Sequence, residues 1–99
     1  MYENKGEAVM KRAIITVVGK DTVGIIARVC TYLATEKVNI LDISQTIVSG
    51  YFNMMMIVDV TGRDAEFGRL EEELSEVGEK MGVVIKMQRE DIFDSMHRI

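Results

Sequence analysis

The residues of this chain best placed to do chemistry sit in one short stretch, Gly19-Lys20-Asp21-Thr22-Val23-Gly24-Ile25-Ile26-Ala27. It leads from an apolar, β-branched run into an apolar run of helical spacing, so it has to open a helix. The amides of a first helical turn have no partner inside the helix and carry the positive end of its dipole, which makes them a receptor for a carboxylate. Asp21 or Thr22 can cap such amides with a side-chain oxygen. Gly24, placed in the first turn, weakens the helix yet lets another backbone or a ligand come close. On spacing alone, a tight strand-to-helix turn with no ligand accounts for the glycines better. A second candidate is Asn39 with Ile40, at the start of the next strand. Asparagine before a strand often does no more than satisfy nearby backbone groups. It gains interest from position, because the end of the first strand and the start of the second are expected at the same end of the sheet if those strands run antiparallel.

Other chemistries lack their residues. Cys30 is the single cysteine, so there is no internal disulfide and no thiol cluster for zinc. The single histidine, His97, reads as a helix-end residue that complements the dipole when charged, rather than as a catalyst. Arg12 with Asn39 resembles the pair of a small acyl phosphatase, but the loop has no set of basic residues to clamp a phosphate. Asp42 and Asp59 are single carboxylates in or beside strands, read as edge or surface charge. No nucleophile with its base emerges, so the chain reads as a non-enzyme with no metal and no cofactor. Net charge is −4 with the two signs interspersed, which disfavours nucleic acid. The face of the third strand that would stack bases offers Tyr51, Asn53, Met55 and Ile57, with one aromatic residue at its edge. No apolar run is long enough to cross a membrane and residues 1–10 have no signal-type apolar core, so the chain reads as cytoplasmic.

The elements that must position these residues follow from periodicity. Ninety-nine residues, 47% apolar, suit one domain with its own core. Residues 1–11 read as a loose tail. Arg12 to Val18 reads as a strand buried on both sides, and Ile25, Val29, Tyr32 and Leu33, widened by Ile26 and Cys30, as one buried helix face. Val38 to Val48 reads as a second strand, with Leu41, Ile43 and Ile47 on one side, Asp42, Ser44 and Thr46 on the other, and Gln45 interrupting the apolar side. Ser49-Gly50 is a hairpin signal, and Tyr51 to Val60 a third strand with Phe52, Met54, Met56, Val58 and Val60 inward. Thr61-Gly62-Arg63-Asp64 is a turn with Asp64 as helix cap. Phe67, Leu70, Leu74, Val77 and Met81 then give the clearest helical stripe, with Glu71, Glu72, Glu73, Glu76 and Glu79 on its solvated side. Gly82 ends that helix, and Val83, Ile85 and Met87 alternate as a fourth strand. Asp91 caps a last short helix carrying Ile92, Met96 and Ile99, which has to dock on the sheet, a helix or a second subunit. The expected fold is α+β and ferredoxin-like: β-α-β-β-α-β, a four-stranded antiparallel sheet with two helices on one face, residues 12–89, followed by a C-terminal helix over 90–99.

GKDTVGIIA resembles the GxDxPGxxA signature that opens ACT domains, and Val38-Asn39-Ile40-Leu41-Asp42 resembles the entry to their second strand. The likeness runs from about Arg12 to Arg89. The ending, Glu90 to Ile99, is similar to that of small stand-alone ACT proteins, a group similar in turn to the ACT domains of the glycine-cleavage-system repressor and of formyltetrahydrofolate deformylase. The resemblance implies a regulatory homodimer that binds a small amino acid or related metabolite at the subunit junction. It implies ligand contacts from Asp21, Thr22, Val23 and Gly24, joined by Asn39 and Ile40. Val23 stands where the family usually has proline, which leaves the loop less rigid. The competing reading is an interaction or dimerisation module with no small-molecule ligand, since the apolar outer sheet face and C-terminal helix serve that equally well.

Overall fold

The computed structural model describes residues 11–20 and 24–90. Within them β1 (Arg12–Lys20), α1 (Ile25–Thr35), β2 (Asn39–Val48), β3 (Tyr51–Asp59), α2 (Phe67–Met81) and β4 (Val83–Arg89) succeed one another in the expected β-α-β-β-α-β order. The strands form one sheet in the order β2-β3-β1-β4, every hydrogen-bonded pair antiparallel. Residues 91–99, expected to be a helix, and most of the N-terminal tail lie outside the described residues.

The core is built on one face of the sheet. Ala13, Ile15 and Val17 of β1, Phe52, Met54, Met56 and Val58 of β3, and Val83, Ile85 and Met87 of β4 meet Ile25, Val29 and Leu33 of α1 and Leu70 and Leu74 of α2. Period-two and period-3.6 patterns select these residues, and burial of such aliphatic side chains supplies roughly 1.5–3 kcal/mol each before entropy is counted. The three consecutive methionines split accordingly: Met54 and Met56 are buried in the core, and Met55 is exposed on the other face.

Three expectations need correction. Asp64 does not cap α2: a 3-10 turn, Asp64–Glu66, precedes the helix, and Glu66 stands at the cap without a side-chain hydrogen bond. The Asp64 carboxylate accepts from Lys11 at 3.4 Å and lies 3.8 Å from Arg89 instead. β2 carries a bulge between Ile40 and Asp42, so Ile40 pairs with Val58 and Ile43 with Met56. Leu41 drops out of the ladder, and Ile40 takes its place with Ile43, Gln45 and Ile47 on the helix side. β1 is not evenly buried on both faces either, since Val18 is largely exposed.

One packing determinant carries no periodic signal. Gly78 of α2 faces β4 so closely that a Cβ there would lie 2.8 Å from the carbonyl oxygen of Val83 and 2.9 Å from Ile85 Cγ1. A backbone carbonyl cannot swing aside as a side chain can, so α2 rests on β4 through a glycine. Gly68 in the same helix has nothing within 4 Å of such a Cβ. Gly78→Ala is therefore expected to lower stability by about 1–2 kcal/mol, overpacking outweighing the helix propensity gained. Gly68→Ala should raise it by up to about 1 kcal/mol, both read by urea denaturation at constant m-value.

Candidate functional site

The loop of interest joins β1 to α1, and Asp21, Thr22 and Val23 lie outside the described residues. Gly19 belongs to β1, level with Phe52 and Val83, and a Cβ on it would meet Val83 Cγ1 at 2.7 Å. It serves strand packing. Gly24 is the N-cap of α1 at φ 87° and accepts the first helical bond from the Arg28 amide at 2.9 Å. Among the described residues nothing lies within 4 Å of a Cβ placed there, and the left-handed backbone is what demands glycine. Gly24 itself has no side chain to cap the helix, and no acidic residue stands in its first turn. The amides there keep their capacity to receive an anion.

Asn39 opens β2 at the opposite end of the sheet. The ladders place Asn39 level with Asp59 and Arg12, whereas Lys20 is level with Tyr51 and Val48. With β3 antiparallel to both β1 and β2, those two strands run parallel, not antiparallel as the sequence reading supposed. The eight-residue stagger separates Asn39 from the Gly24 end by about 26 Å along the strands. Ile40 packs against the core, and both residues line a shallow groove of about 440 Å³ with Cys30, Ala34, Lys37 and Val38. Within one chain the two halves of the expected site do not meet.

The groove is shaped by the end of α1. Lys37, at φ 60°, donates its amide to the Ala34 carbonyl at 3.0 Å, and the Val38 amide donates to Leu33 at 2.9 Å. This is the Schellman closure, with Val38 buried beside Leu33. Beside it lies a polar cluster that spacing did not reveal. Arg63 donates to the Glu36 backbone carbonyl at 2.7 Å and to its carboxylate at 3.3 Å, and Arg69 reaches the same carboxylate at 3.0 and 3.2 Å. Arg69 also donates to Glu73, which accepts the Tyr32 hydroxyl at 2.5 Å. Hydrogen bonding from Arg69, then the charges of Arg69 and Arg63, hold the Glu36 carboxyl below its ordinary value. Burial first, then the hydrogen bond and charge of Glu73, push the Tyr32 phenol up. The cluster ties α1 to α2 with every charge paired, and it holds no reactive nucleophile. Among the described residues no three His, Cys, Asp or Glu side chains gather as metal ligands, and no helix is long and apolar enough to cross a membrane.

Residues 11–88 match the sequence model of the ACT domain. The chain belongs to the ACT-domain family. It is 63% identical over 90 residues to a UPF0237 protein of Bifidobacterium longum, covering 91% of this chain and 100% of that one. A UPF0237 protein of Methanocaldococcus jannaschii is 46% identical over 90 residues, with the same coverage. Among solved structures it is similar to an ACT domain protein from Streptococcus pneumoniae, with TM-score 0.75 and 42% identity over 85% of this chain and 94% of that one. A putative glycine cleavage system transcriptional repressor shares the fold at TM-score 0.71 and 24% identity, over 83% of this chain and 47% of the repressor.

In this ACT domain the Glu36 cluster fastens the start of α2 to the end of α1 and so fixes the wall of the groove beside Asn39. Its pH dependence has a definite sign. The folded value of Glu36 lies below the 4.5 of the free group, so its contribution is full above about 4.5 and is lost as pH falls through the folded value. Glu36→Gln should lower Tm at neutral pH and flatten the acid limb of a plot of Tm against pH. An unchanged acid limb would contradict the clamp.

Proposed function

We propose that this ACT domain is a non-catalytic regulatory module that binds a small amino acid at a homodimer interface. The observation that carries the reading is the split between its two candidate half-sites. The start of α1 at Gly24 offers amides to a carboxylate, and Asn39 with Ile40 stands at the far end of the same sheet. Antiparallel pairing of β2 with β2 of a second copy would reunite them. With Asn39 of one copy opposite Val48 of the other, that Asn39 comes level with Lys20, beside the Gly24 loop it cannot reach within its own chain.

Exposure along β2 supports this arrangement. Every residue of the strand except Ile40 is exposed, and Ile43 and Ile47, on the helix side, are 43% and 59% exposed because neither helix reaches over them. A long edge strand with apolar side chains invites pairing. A two-fold axis normal to the sheet would keep all four helices on one side and bury Ile43 and Ile47 of both copies between the two α1 helices. The putative repressor that shares the fold is named for the glycine cleavage system, which agrees with a small amino acid as ligand.

The test is a thermal-shift screen of the purified protein against the twenty amino acids, since a ligand selective for the folded state raises Tm. One amino acid should give a saturable rise that Asn39→Ala abolishes. Ile43→Lys should yield a monomer by light scattering and lose the same shift. A dimer that responds to none of the twenty at millimolar concentration would leave an interaction module without ligand as the correct reading.

A further inference from the structure

The strand order β2-β3-β1-β4 makes β4 the second edge of the sheet, paired among the described residues with β1 alone. Alternate residues of such a strand turn their amide and carbonyl toward the partner, and the others turn theirs toward the open side. Between β4 and α2 lie two adjoining depressions of about 700 and 390 Å³ that share Gly68, Glu71, Met87 and Gln88. No residue of β1 lines either one, so together they form a trough on the side of β4 away from its partner. Ile85 and Met87, both buried, make its apolar floor, and Glu71, Glu72 and Ser75 of α2, all exposed, make its polar wall. The trough follows β4 from Ile85 to Arg89, about 17 Å of extended chain. Gly68 lines both depressions, and a Cβ on it would meet nothing within 4 Å. Glycine weakens the helix there with no contact that requires it, unlike Gly78, where the β4 backbone leaves no room for a side chain. What the missing side chain of Gly68 does is keep the trough open.

We propose that this trough is a docking groove for an extended, basic segment of another protein, which adds to β4 as a further strand beneath α2. Backbone pairing along the open edge holds the segment, and the charge of the wall selects it. Among the described residues Glu36, Glu66, Glu73 and Glu90 are taken up in ion pairs, whereas Glu71 and Glu72 form none. Side chains on the helix side of an added strand would meet these two carboxylates, which favours Lys or Arg at alternate positions. On the outer face the same strand would lie beside Val84 and Lys86, where an apolar residue fits and a second cation does not. A second copy of the chain suits this edge poorly. Antiparallel pairing of β4 with itself about its midpoint, Lys86, would set Lys86 against Lys86 and the glutamates of one α2 against those of the other. The two edges of the sheet therefore differ: β2 carries exposed isoleucines that no helix covers, and β4 carries an acidic helix above an open trough. This inference is independent of the amino-acid ligand.

Two end-blocked peptides of identical composition test it on the full chain. One alternates, Lys-Val-Lys-Val-Lys-Val-Lys, and sets every lysine on one face of a strand; the other, Lys-Lys-Lys-Lys-Val-Val-Val, does not. Affinity is read by titration calorimetry and the place of binding by hydrogen exchange of the backbone amides. The alternating peptide should bind about tenfold more tightly than the block peptide and slow exchange in β4 while leaving β2 unchanged. Gly68→Met fills the trough and should weaken the alternating peptide about tenfold while Tm holds or rises, a split that loss of folding does not produce. Glu71→Gln combined with Glu72→Gln should weaken it as well. Equal affinity for the two peptides would show attraction by net charge alone and overturn the proposal. So would slowed exchange in β2 in place of β4, native affinity in Gly68→Met, or no binding of either peptide at millimolar concentration.

Discussion

A strand followed by a helix that packs on the same sheet has to re-enter that sheet parallel to the strand it left, because the helix carries the chain back along the strand's length. Almost everything of functional interest in this ACT domain depends on that return. α1 leaves the Gly24 end, runs the length of the core, and delivers β2 at the level of Arg12. β3 then fills the space between β1 and β2, so β2 becomes an edge strand with one side unpaired among the described residues. Two groups that lie fifteen residues apart in sequence, Gly24 and Asn39, are thereby held at opposite ends of the sheet.

The helices hold that geometry by two contacts of different kinds. On the β4 side, Gly78 brings α2 down onto the backbone of Val83 and Ile85, a contact of shape that tolerates no added atom. On the α1 side, Arg63 and Arg69 close on Glu36, and Glu73 takes the Tyr32 hydroxyl, so the helix ends are joined by charge-assisted hydrogen bonds. The bond from Arg63 to the Glu36 main-chain carbonyl satisfies an acceptor that the end of α1 leaves without an intrahelical partner. Neither contact reaches over β2. The helix layer is narrower than the sheet, and its limit coincides with the exposed isoleucines of β2.

The same narrowness organises the two faces. On the helix side, the uncovered strip lies along the β2 edge, where a second sheet can extend the first. On the outer side, the bare region lies toward the hairpin, and the shielded region lies where the chain leaves β4. The two openings lie at different places on the sheet.

Much of this was legible in the sequence because periodicity reports burial directly. Val29 and Leu33, Leu70 and Leu74, and the alternation from Phe52 to Val58 named the core, and Ser49-Gly50 named the hairpin. The loop pattern around Gly24 and the entry at Asn39 named the family. What the one-dimensional pattern could not carry was anything that depends on which strands become neighbours or how near two backbones come. The bulge at Leu41 moves Ile40 to the core side because a single unpaired residue shifts the alternation, and no side-chain type announces it. Gly78 reads as a weak helix position until β4 is laid against it, and Glu36 reads as a helix end until two arginines arrive from 27 and 33 residues away. Local chemistry therefore determined the elements, the core residues and the likeness to ACT domains. The parallel direction of β1 and β2 follows from the β-α-β connection, whereas tertiary structure alone decided that β3 stands between them and leaves β2 at the edge, since strand order is settled by long-range pairing that local sequence does not encode.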